Sequence, residues 1–400
     1  MEEIPMDPWD SLVNQRSLTF QLDGELSLFD ETGRSVNTFC RENLSLARRR
    51  RGMTKTDLAI EVGLELRTIS GYEAGEYVPS EATLASLSRA LRFPERFFFG
   101  QALAEPRPDT ASFRAQSKMS AGQRDMALGQ GALALALAGW LDLHFELPLP
   151  AIPECGRGQS PEAAAEALRQ EWGLGNASIR NMIHLLESKG IRLFSLSLKA
   201  KEVDAFSMWQ SNVPFIFLNM QKSAEHSRFD AAHELGHLVL HKHAAPQGRQ
   251  AEKEADAFAS AFLMPRASVL ANIPKLASVE QIIRLKKIWG VSAAALTYRY
   301  HYLKVITAWH YRSLFVQLSK RGFTKNEPEP ATHESSQLLQ KVFKALRKEG
   351  ITRQRVAREL YISTAELDDL LLGLTFGRID GGRETLADIF PNSAGLTRVK

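Results

Sequence analysis

The sequence has little cysteine, no long apolar run and no large excess of one charge. Cys40 and Cys155, the only two cysteines, offer neither a disulfide framework nor a metal-ligand spacing. The longest run of small apolar residues, 131–140, is too short to cross a bilayer, and the acidic N-terminus has no apolar core of signal-peptide length. Because 50 basic and 46 acidic residues leave a net charge of +4, a nucleic-acid partner requires clustered basic residues. We therefore expect a cytoplasmic protein that binds no membrane.

One motif indicates metal chemistry. Residues 233–237 read His-Glu-Leu-Gly-His within an otherwise apolar segment. Residues four apart share one face of a helix, so His233 and His237 can bind the same metal ion. Glu234 follows the first histidine, where its carboxylate can accept a proton from a water on that metal. The spacing predicts a metal-dependent hydrolase, and the alternative is an ordinary helix with two hydrogen-bonded histidines.

A catalytic zinc site needs a third protein ligand and keeps one position open for water. The next amphipathic helix offers three carboxylates, Glu252, Glu254 and Asp256, and each qualifies chemically. Glu252 and Asp256 share a face, whereas Glu254 points elsewhere. His241 and His243 lie nearby in sequence, and we expect both to lie off the metal.

Three strands are predicted ahead of the metal-binding helix, at 191–196, 205–209 and 213–218. A free edge of such a sheet could align an extended peptide beside the metal. The pattern therefore favours a small sheet packed against the helix.

Residues 38–100 have the pattern of a helix-turn-helix domain. Thr54 caps one predicted helix, Gly63 makes a tight turn, and a second helix follows over 65–73. A positioning helix, a glycine turn and a recognition helix are typical of domains that read the major groove.

A second copy of this pattern begins near residue 346. Thr352 takes the place of the capping threonine of the first copy. The counterpart of the recognition face carries Glu366, Asp368 and Asp369, which would repel phosphates. We therefore predict a docking or dimerisation domain here rather than a DNA reader.

The stretch 53–75, with Met-Thr-Lys-Thr-Asp-Leu-Ala and Thr-Ile-Ser-Gly-Tyr-Glu-Ala-Gly, resembles the Xre/Cro family of phage-repressor-type domains. The implied DNA contacts are Arg48 and Lys55 at phosphates and Leu66, Arg67 and Thr68 at base edges. Arg67 is the expected guanine reader. Gly71, at the next base-facing position, has no side chain, which predicts weak readout or help from a dimer mate. The alternative is a protein-docking module, because acidic residues offset the arginines.

Phe229, the His-Glu-Leu-Gly-His motif and the run Glu-x-x-Ala-Asp-x-Phe-Ala-x-x-Phe-Leu-Met-Pro ending at Pro265 resemble the ImmA/IrrE family of metallopeptidases, over about 110–305. The implied site is Glu234 as catalytic base, His233, His237 and Glu252 as Zn²⁺ ligands, and Asp256 as a group that orients a histidine. Proteins of this family cut Xre-type repressors or partner regulators. The resemblance therefore implies a protein substrate in addition to operator DNA.

These patterns predict a DNA-binding transcriptional regulator with zinc-dependent endopeptidase activity, which cleaves a partner regulator or itself and binds double-stranded DNA as a homodimer. The alternatives are a metal-stabilised repressor without catalysis and an antitoxin-like regulator. Manganese or iron could also bind two histidines and a carboxylate. Candidates for an oxyanion partner rest on residue type only: Tyr298, Arg299, His301 and Arg114.

The predicted fold is α+β and mainly helical. It has an N-terminal helix-turn-helix, a central zincin-like domain with a small antiparallel sheet, and a C-terminal helical domain of helix-turn-helix shape. The predicted segments are 1–35, an appendage with a hairpin; 36–100, the helix-turn-helix domain; 101–150, linker helices; 151–310, the metallopeptidase domain; 311–335, a linker; and 336–400, the C-terminal domain.

Overall fold

The computed structural model describes most of the chain. The described residues are 14–15, 38–106, 112–113, 120–154, 158–196, 203–242 and 248–375. The hairpin predicted within the N-terminal appendage lies outside these residues, as do Arg114, Cys155 and His243.

Helices dominate this part of the chain. In chain order they are α1 (Arg41–Arg50), α2 (Lys55–Val62), α3 (Leu66–Ala74), α4 (Glu81–Leu91), α5 (Ala121–His144), α6 (Pro161–Glu171), α7 (Met182–Ser188), α8 (Ala224–Leu240), α9 (Arg249–Leu263), α10 (Arg266–Ala271), α11 (Val279–Trp289), α12 (Ala293–Tyr302), α13 (Ala308–Lys320), α14 (Gln337–Lys348), α15 (Arg353–Glu359) and α16 (Thr364–Leu371).

The strands are few and short. They are β1 (Asn14–Gln15), β2 (Ser112–Phe113), β3 (Phe145–Glu146), β4 (Arg192–Ser195), β5 (Ala205–Gln210) and β6 (Val213–Leu218). β1 pairs with β3, and the other four form one sheet in the order β2-β5-β6-β4. The prediction of a mainly helical α+β fold is confirmed.

The sheet is mixed, so the prediction of a wholly antiparallel sheet is wrong in this detail. β5 and β6 form an antiparallel hairpin, but β4 runs parallel to β6, with Arg192 opposite Phe215. The hairpin places β6 at the centre, where its apolar residues 214–218 are buried. The second side of β6 is then available only to a strand from outside the hairpin, and β4 takes it.

The helix α5 extends well beyond the apolar run at 131–140, since it spans Ala121–His144. By length and composition it could cross a membrane, but 72% of its most apolar window is buried inside the protein. It packs on α1, and Gln130 donates a hydrogen bond of 2.8 Å to the Ser195 carbonyl at the end of β4. This helix therefore serves as a core element between the helix-turn-helix segment and the sheet.

The C-terminal helices repeat the order of the N-terminal ones, as the matching patterns predicted. Thr54 caps α2 by accepting from the Asp57 amide, and Thr352 caps α15 by accepting from the Arg355 amide. The helix α16 then stands where the first copy has its recognition helix α3. Glu366 of α16 corresponds in this repeat to Thr68 of α3.

The arginine run at the end of α1 is used entirely for internal contacts. The ion pairs are Arg48–Glu73, Arg49–Glu105, Arg50–Glu366, Arg50–Asp369 and Arg51–Glu366. The pair between Arg50 and Glu366 is buried, with side-chain exposures of 2% and 3% and an N–O distance of 2.9 Å. The acidic face of α16 therefore packs directly against α1.

This contact predicts that Glu366→Ala lowers the free energy of unfolding by about 3 kcal/mol, because two arginines lose their shared buried partner. The matched control is Asp368→Ala on the same helix, whose pair with Arg353 is more exposed. The control should cost less than about 1 kcal/mol. Urea denaturation of both variants measures the difference. Equal losses in the free energy of unfolding would contradict a stabilising role for the buried ion pairs of Glu366.

Candidate metal centre and nucleic-acid interface

The two helices that carry the metal-binding motif approach each other closely. A Cβ atom on Gly236 would lie 3.1 Å from the Phe258 ring and 3.2 Å from the Ala255 Cα. A Cβ atom at this position would therefore require its neighbours on α9 to shift by a few tenths of an ångström. The glycine within the motif therefore lets Glu252, on the first turn of α9, reach the histidines on α8.

Three side chains converge at this crossing. The Nε2 atoms of His233 and His237 are 3.1 Å apart. The Glu252 carboxylate lies 3.6 Å from Nε2 of His233 and 3.4 Å from Nε2 of His237. Both histidines are buried, and the Glu252 side chain is 30% exposed. Among the described residues these form a group whose ligand atoms all lie within 4.8 Å of one another.

These separations fit a tetrahedral zinc ion. Ligand atoms about 2.0–2.1 Å from zinc in tetrahedral geometry are about 3.3 Å from each other. The two Nε2 atoms are 3.1 Å apart, and each lies 3.4 or 3.6 Å from a different oxygen of the Glu252 carboxylate. Two imidazole nitrogens and one carboxylate are a donor set that zinc accepts.

Asp256 fixes the orientation of the first histidine. Its Oδ1 lies 2.9 Å from Nδ1 of His233. An ionised carboxylate only accepts hydrogen bonds, so the ring proton is on Nδ1 and the lone pair of Nε2 faces the metal position.

A second series of hydrogen bonds orients His237. The Nδ1 atoms of His237 and His241 are 3.0 Å apart, and Nε2 of His241 lies 3.0 Å from the Glu254 carboxylate. Glu254 therefore draws the proton of His241 to Nε2, which leaves Nδ1 of His241 as an acceptor for His237. Nε2 of His237 then keeps its lone pair for the metal. Sequence reasoning kept Glu254 as a possible third ligand and expected His241 to lie off the metal, but it did not foresee that either residue would contact His237 or its neighbour.

The protonation states agree with this geometry. Burial lowers the pKa of His237 to about 4, although the nearby Glu252 carboxylate acts in the opposite direction. Burial alone would raise the pKa of Glu252, but the favourable interactions with His233 and His237 outweigh it and lower that pKa to about 2. Near neutral pH, His237 is therefore neutral and Glu252 is ionised, the forms that bind metal.

Ser207 is the contact of Glu234 that sequence reasoning missed. Its hydroxyl donates a 2.6 Å hydrogen bond to Oε2 of Glu234, and both side chains are buried. The signal was a serine within the mostly apolar strand β5. The same stretch of β5 is not a free edge, because β2 pairs with it at Phe206 and Ser207.

Of the three described candidates for an oxyanion partner, two are engaged in other contacts. Arg299 is buried and bound to Glu162 at 2.7 Å, and His301 stacks on Tyr311 with ring centroids 4.5 Å apart. Tyr298 is half exposed and lines a neighbouring cavity.

The helix-turn-helix segment exposes part of the predicted DNA face. Arg67 and Leu66 are exposed at the start of α3, and Thr68 is partly buried. Lys55 is 40% exposed at its side chain, with its Nζ 3.5 Å from Glu73. Four of the five residues predicted to contact DNA are thus at least partly exposed.

Arg48 does not fit the predicted phosphate contact, and the structure corrects this assignment. Its guanidinium is largely buried and donates to both Glu73 oxygens, at 2.6 and 3.0 Å, and to the Met53 carbonyl. The basic residues 48–51 are evident in the sequence, but their proximity to Glu73 of α3 is not.

Gly71 is also not available to a base. It is buried, and a Cβ there would lie 2.3 Å from the Tyr77 ring. The glycine makes room for that ring, so this position of the recognition helix offers no side chain to a base.

Comparison with known families identifies two domains. Residues 42–96 match the model of a helix-turn-helix domain, and residues 186–301 match the peptidase M78 family model, described as the IrrE N-terminal-like domain. No curated protein matches the chain. The chain therefore joins a helix-turn-helix domain to an IrrE-type peptidase domain, and the resemblance of the sequence to this fusion is confirmed.

The contact between Asp256 and His233 predicts the effect of removing the carboxylate. Asp256→Ala should weaken Zn²⁺ binding by about 10- to 100-fold, because His233 loses the group that fixes its tautomer. Competition with a chromogenic chelator measures the affinity. Glu280→Ala, at an exposed carboxylate on α11, is the matched control and should leave it unchanged. Equal affinity in both variants would remove Asp256 from the site.

Proposed function

We propose that this protein is a DNA-binding transcriptional regulator that also acts as a zinc-dependent endopeptidase, which cleaves either an Xre-type repressor or itself. The observation that carries the proposal is the convergence of His233, His237 and Glu252. The Nδ1 atom of each histidine is held by a hydrogen bond, which leaves Nε2 to face the metal position. The expected DNA partner and the low cysteine content support a cytoplasmic location for this activity.

Peptide hydrolysis requires a polarised carbonyl, an activated water and a proton carrier. A bound zinc ion supplies the first two by acting as a Lewis acid. Glu234 takes the proton of the attacking water on its carboxylate and later passes it to the amine that leaves. Ser207 holds Oε2 of Glu234 in place during these transfers, and Asp256 keeps His233 in the binding tautomer.

The DNA contacts are few on this proposal. Arg67 reads a base edge, with Leu66 and Thr68 beside it, and Lys55 binds a phosphate. Arg48 is occupied by Glu73, and the remaining arginines of the run are also paired. One domain therefore binds weakly, which favours a homodimer on a two-part operator.

The C-terminal helices act as an internal docking domain on this proposal. Glu366 and Asp369 of α16 bind arginines of α1, and Trp140 of α5 donates to Glu359 of α15 at 2.9 Å. Carboxylates at these positions keep α16 away from DNA phosphates. The contacts support a fixed placement of the DNA-binding helices relative to the peptidase domain.

Replacing the proton carrier tests the peptidase activity. Glu234→Gln should preserve fold and metal content but lower cleavage by about two to four orders of magnitude. The measurement compares new protein N-termini in host cells that express wild type, Glu234→Gln or the control Glu280→Gln, with and without DNA damage. New ends that depend on Glu234 identify the substrate. A Gln variant that cuts as fast as wild type, or that loses its metal, contradicts the proposed role.

Replacing the base reader tests the DNA interface. Arg67→Ala should weaken binding about tenfold or more to a duplex selected by wild type from a random pool, and should relax its sequence preference. Arg312→Ala, at an exposed arginine of α13, is the matched loss of charge and should bind as wild type does. Cleavage should be unaffected in both. Unchanged affinity and selectivity in Arg67→Ala would exclude it as a reader.

A further inference from the structure

The C-terminal helices carry a concentration of positive charge. Residues 337–361 contain seven basic and two acidic residues, whereas the whole chain has 50 basic and 46 acidic residues. The rest of the chain is therefore nearly balanced. A nucleic-acid partner requires clustered basic residues, and this segment supplies such a cluster. Its basic residues are Lys341, Lys344, Arg347, Lys348, Arg353, Arg355 and Arg358.

The helix α14 separates its apolar residues from its basic ones. Leu339, Val342 and Leu346 are buried and follow one another at intervals of three and four residues, so they form the face that packs inward. The opposite side of the helix carries the exposed residues Lys344 and Lys348, with exposed Arg347 beside them. The surface that α14 presents to solvent is therefore basic.

The start of α15 continues this surface. The Arg353 guanidinium lies over the Phe343 ring of α14, 5.9 Å from the ring centroid. Phe343 lies one helical turn before Arg347, so Arg353 and Arg347 lie on the same side of the domain. We call Lys344, Arg347, Lys348 and Arg353 the basic face.

The charges of the basic face are accessible to a ligand. Within the described part of the chain, Lys344 and Lys348 form no ion pair. Arg353 pairs with Asp368 at 3.0 Å, but the two side chains are 20% and 40% exposed. Because exposed pairs of this kind contribute little free energy, a phosphate can compete for Arg353. Arg50 of α1, in contrast, is buried in its pair with Glu366.

The internal repeat places the basic face where a phosphate contact is predicted in the first copy. Thr352 takes the place of Thr54, so Arg353 takes the place of Lys55, which is exposed and predicted to contact a phosphate. The counterpart of the recognition helix, α16, packs on α1 through buried Glu366. The second copy thus presents the phosphate-binding side of the pattern and uses its third helix for internal packing.

We propose that the basic face binds phosphates of double-stranded DNA, independently of base sequence, as a contact additional to that of α3. This inference rests on the proposed DNA-binding function and adds a second role to the C-terminal domain, which docks on α1 through α16. Duplex DNA is the polyanion chosen here because the buried pair of Arg50 and Glu366 fixes the basic face to the domain that reads a duplex. Phosphate contacts raise affinity and add no sequence preference.

The test removes two charges from the basic face, with Lys344→Gln and Lys348→Gln in one protein. The matched control combines Lys275→Gln and Lys320→Gln, at two exposed lysines outside the C-terminal helices. Fluorescence anisotropy measures the affinity of each full-length protein for the duplex selected by wild type and for an unrelated duplex of equal length. The measurements are repeated between about 50 and 200 mM salt. Circular dichroism verifies that each variant is folded.

The expected result is a uniform loss of affinity. The basic-face variant should bind both duplexes about tenfold or more weakly, and its plot of log affinity against log salt should be shallower by about 1.8, because each phosphate contact contributes about 0.9. The ratio of the two affinities should not change. The control should match wild type in affinity and in slope.

The other outcomes separate this inference from the proposed DNA reader. An unchanged slope in the basic-face variant overturns the phosphate contact, and the reader stands if Arg67→Ala still loses selectivity. A changed ratio of the two affinities overturns the sequence-independent role. A larger loss for a single strand of the selected sequence than for its duplex overturns duplex DNA as the ligand. Equal binding of both duplexes by wild type, with a shallower slope in the variant, overturns the reader and supports the basic face.

Discussion

The close crossing of α8 and α9 is the constraint on which the site depends. Gly236 allows it, since a side chain there would meet Phe258 and the backbone of Ala255. The crossing brings Glu252 to both histidines and Asp256 to the back of His233.

Hydrogen bonds fix the side chains of His233, His237 and Glu234 around this crossing. Asp256 orients His233, while Glu254 acts on His237 through His241. Ser207, from the sheet, holds Glu234. Carboxylates of α9 thus act on both histidines, and β5 holds Glu234, which limits the rearrangement needed when metal and substrate bind.

The sequence predicted what depends on local spacing. His233 and His237 are four residues apart on one helix, and capping threonines mark the starts of α2 and α15. Spacing left three carboxylates as possible third ligands, and only the family resemblance singled out Glu252. The structure brings Glu252 to the histidines, while its role as a ligand stays a proposal.

Long-range contacts could not be read in this way. Ser207 contacts Glu234 only because β5 packs on α8. The basic residues 48–51 seemed free to bind other molecules because their acidic partners are distant in sequence, and Glu366 is more than 300 residues away. The direction of β4 depends on which side of the β5–β6 hairpin remained open. In each case tertiary packing, rather than local preference, determined the outcome.

Zinc X-ray absorption spectroscopy on the full-length protein tests the central claim most directly. The account predicts one tightly bound zinc with two imidazole ligands and oxygen ligands, no sulfur, and loss of one imidazole in His237→Ala. A spectrum with sulfur ligands, or one that His237→Ala leaves unchanged, would contradict a metal centre at the α8–α9 crossing.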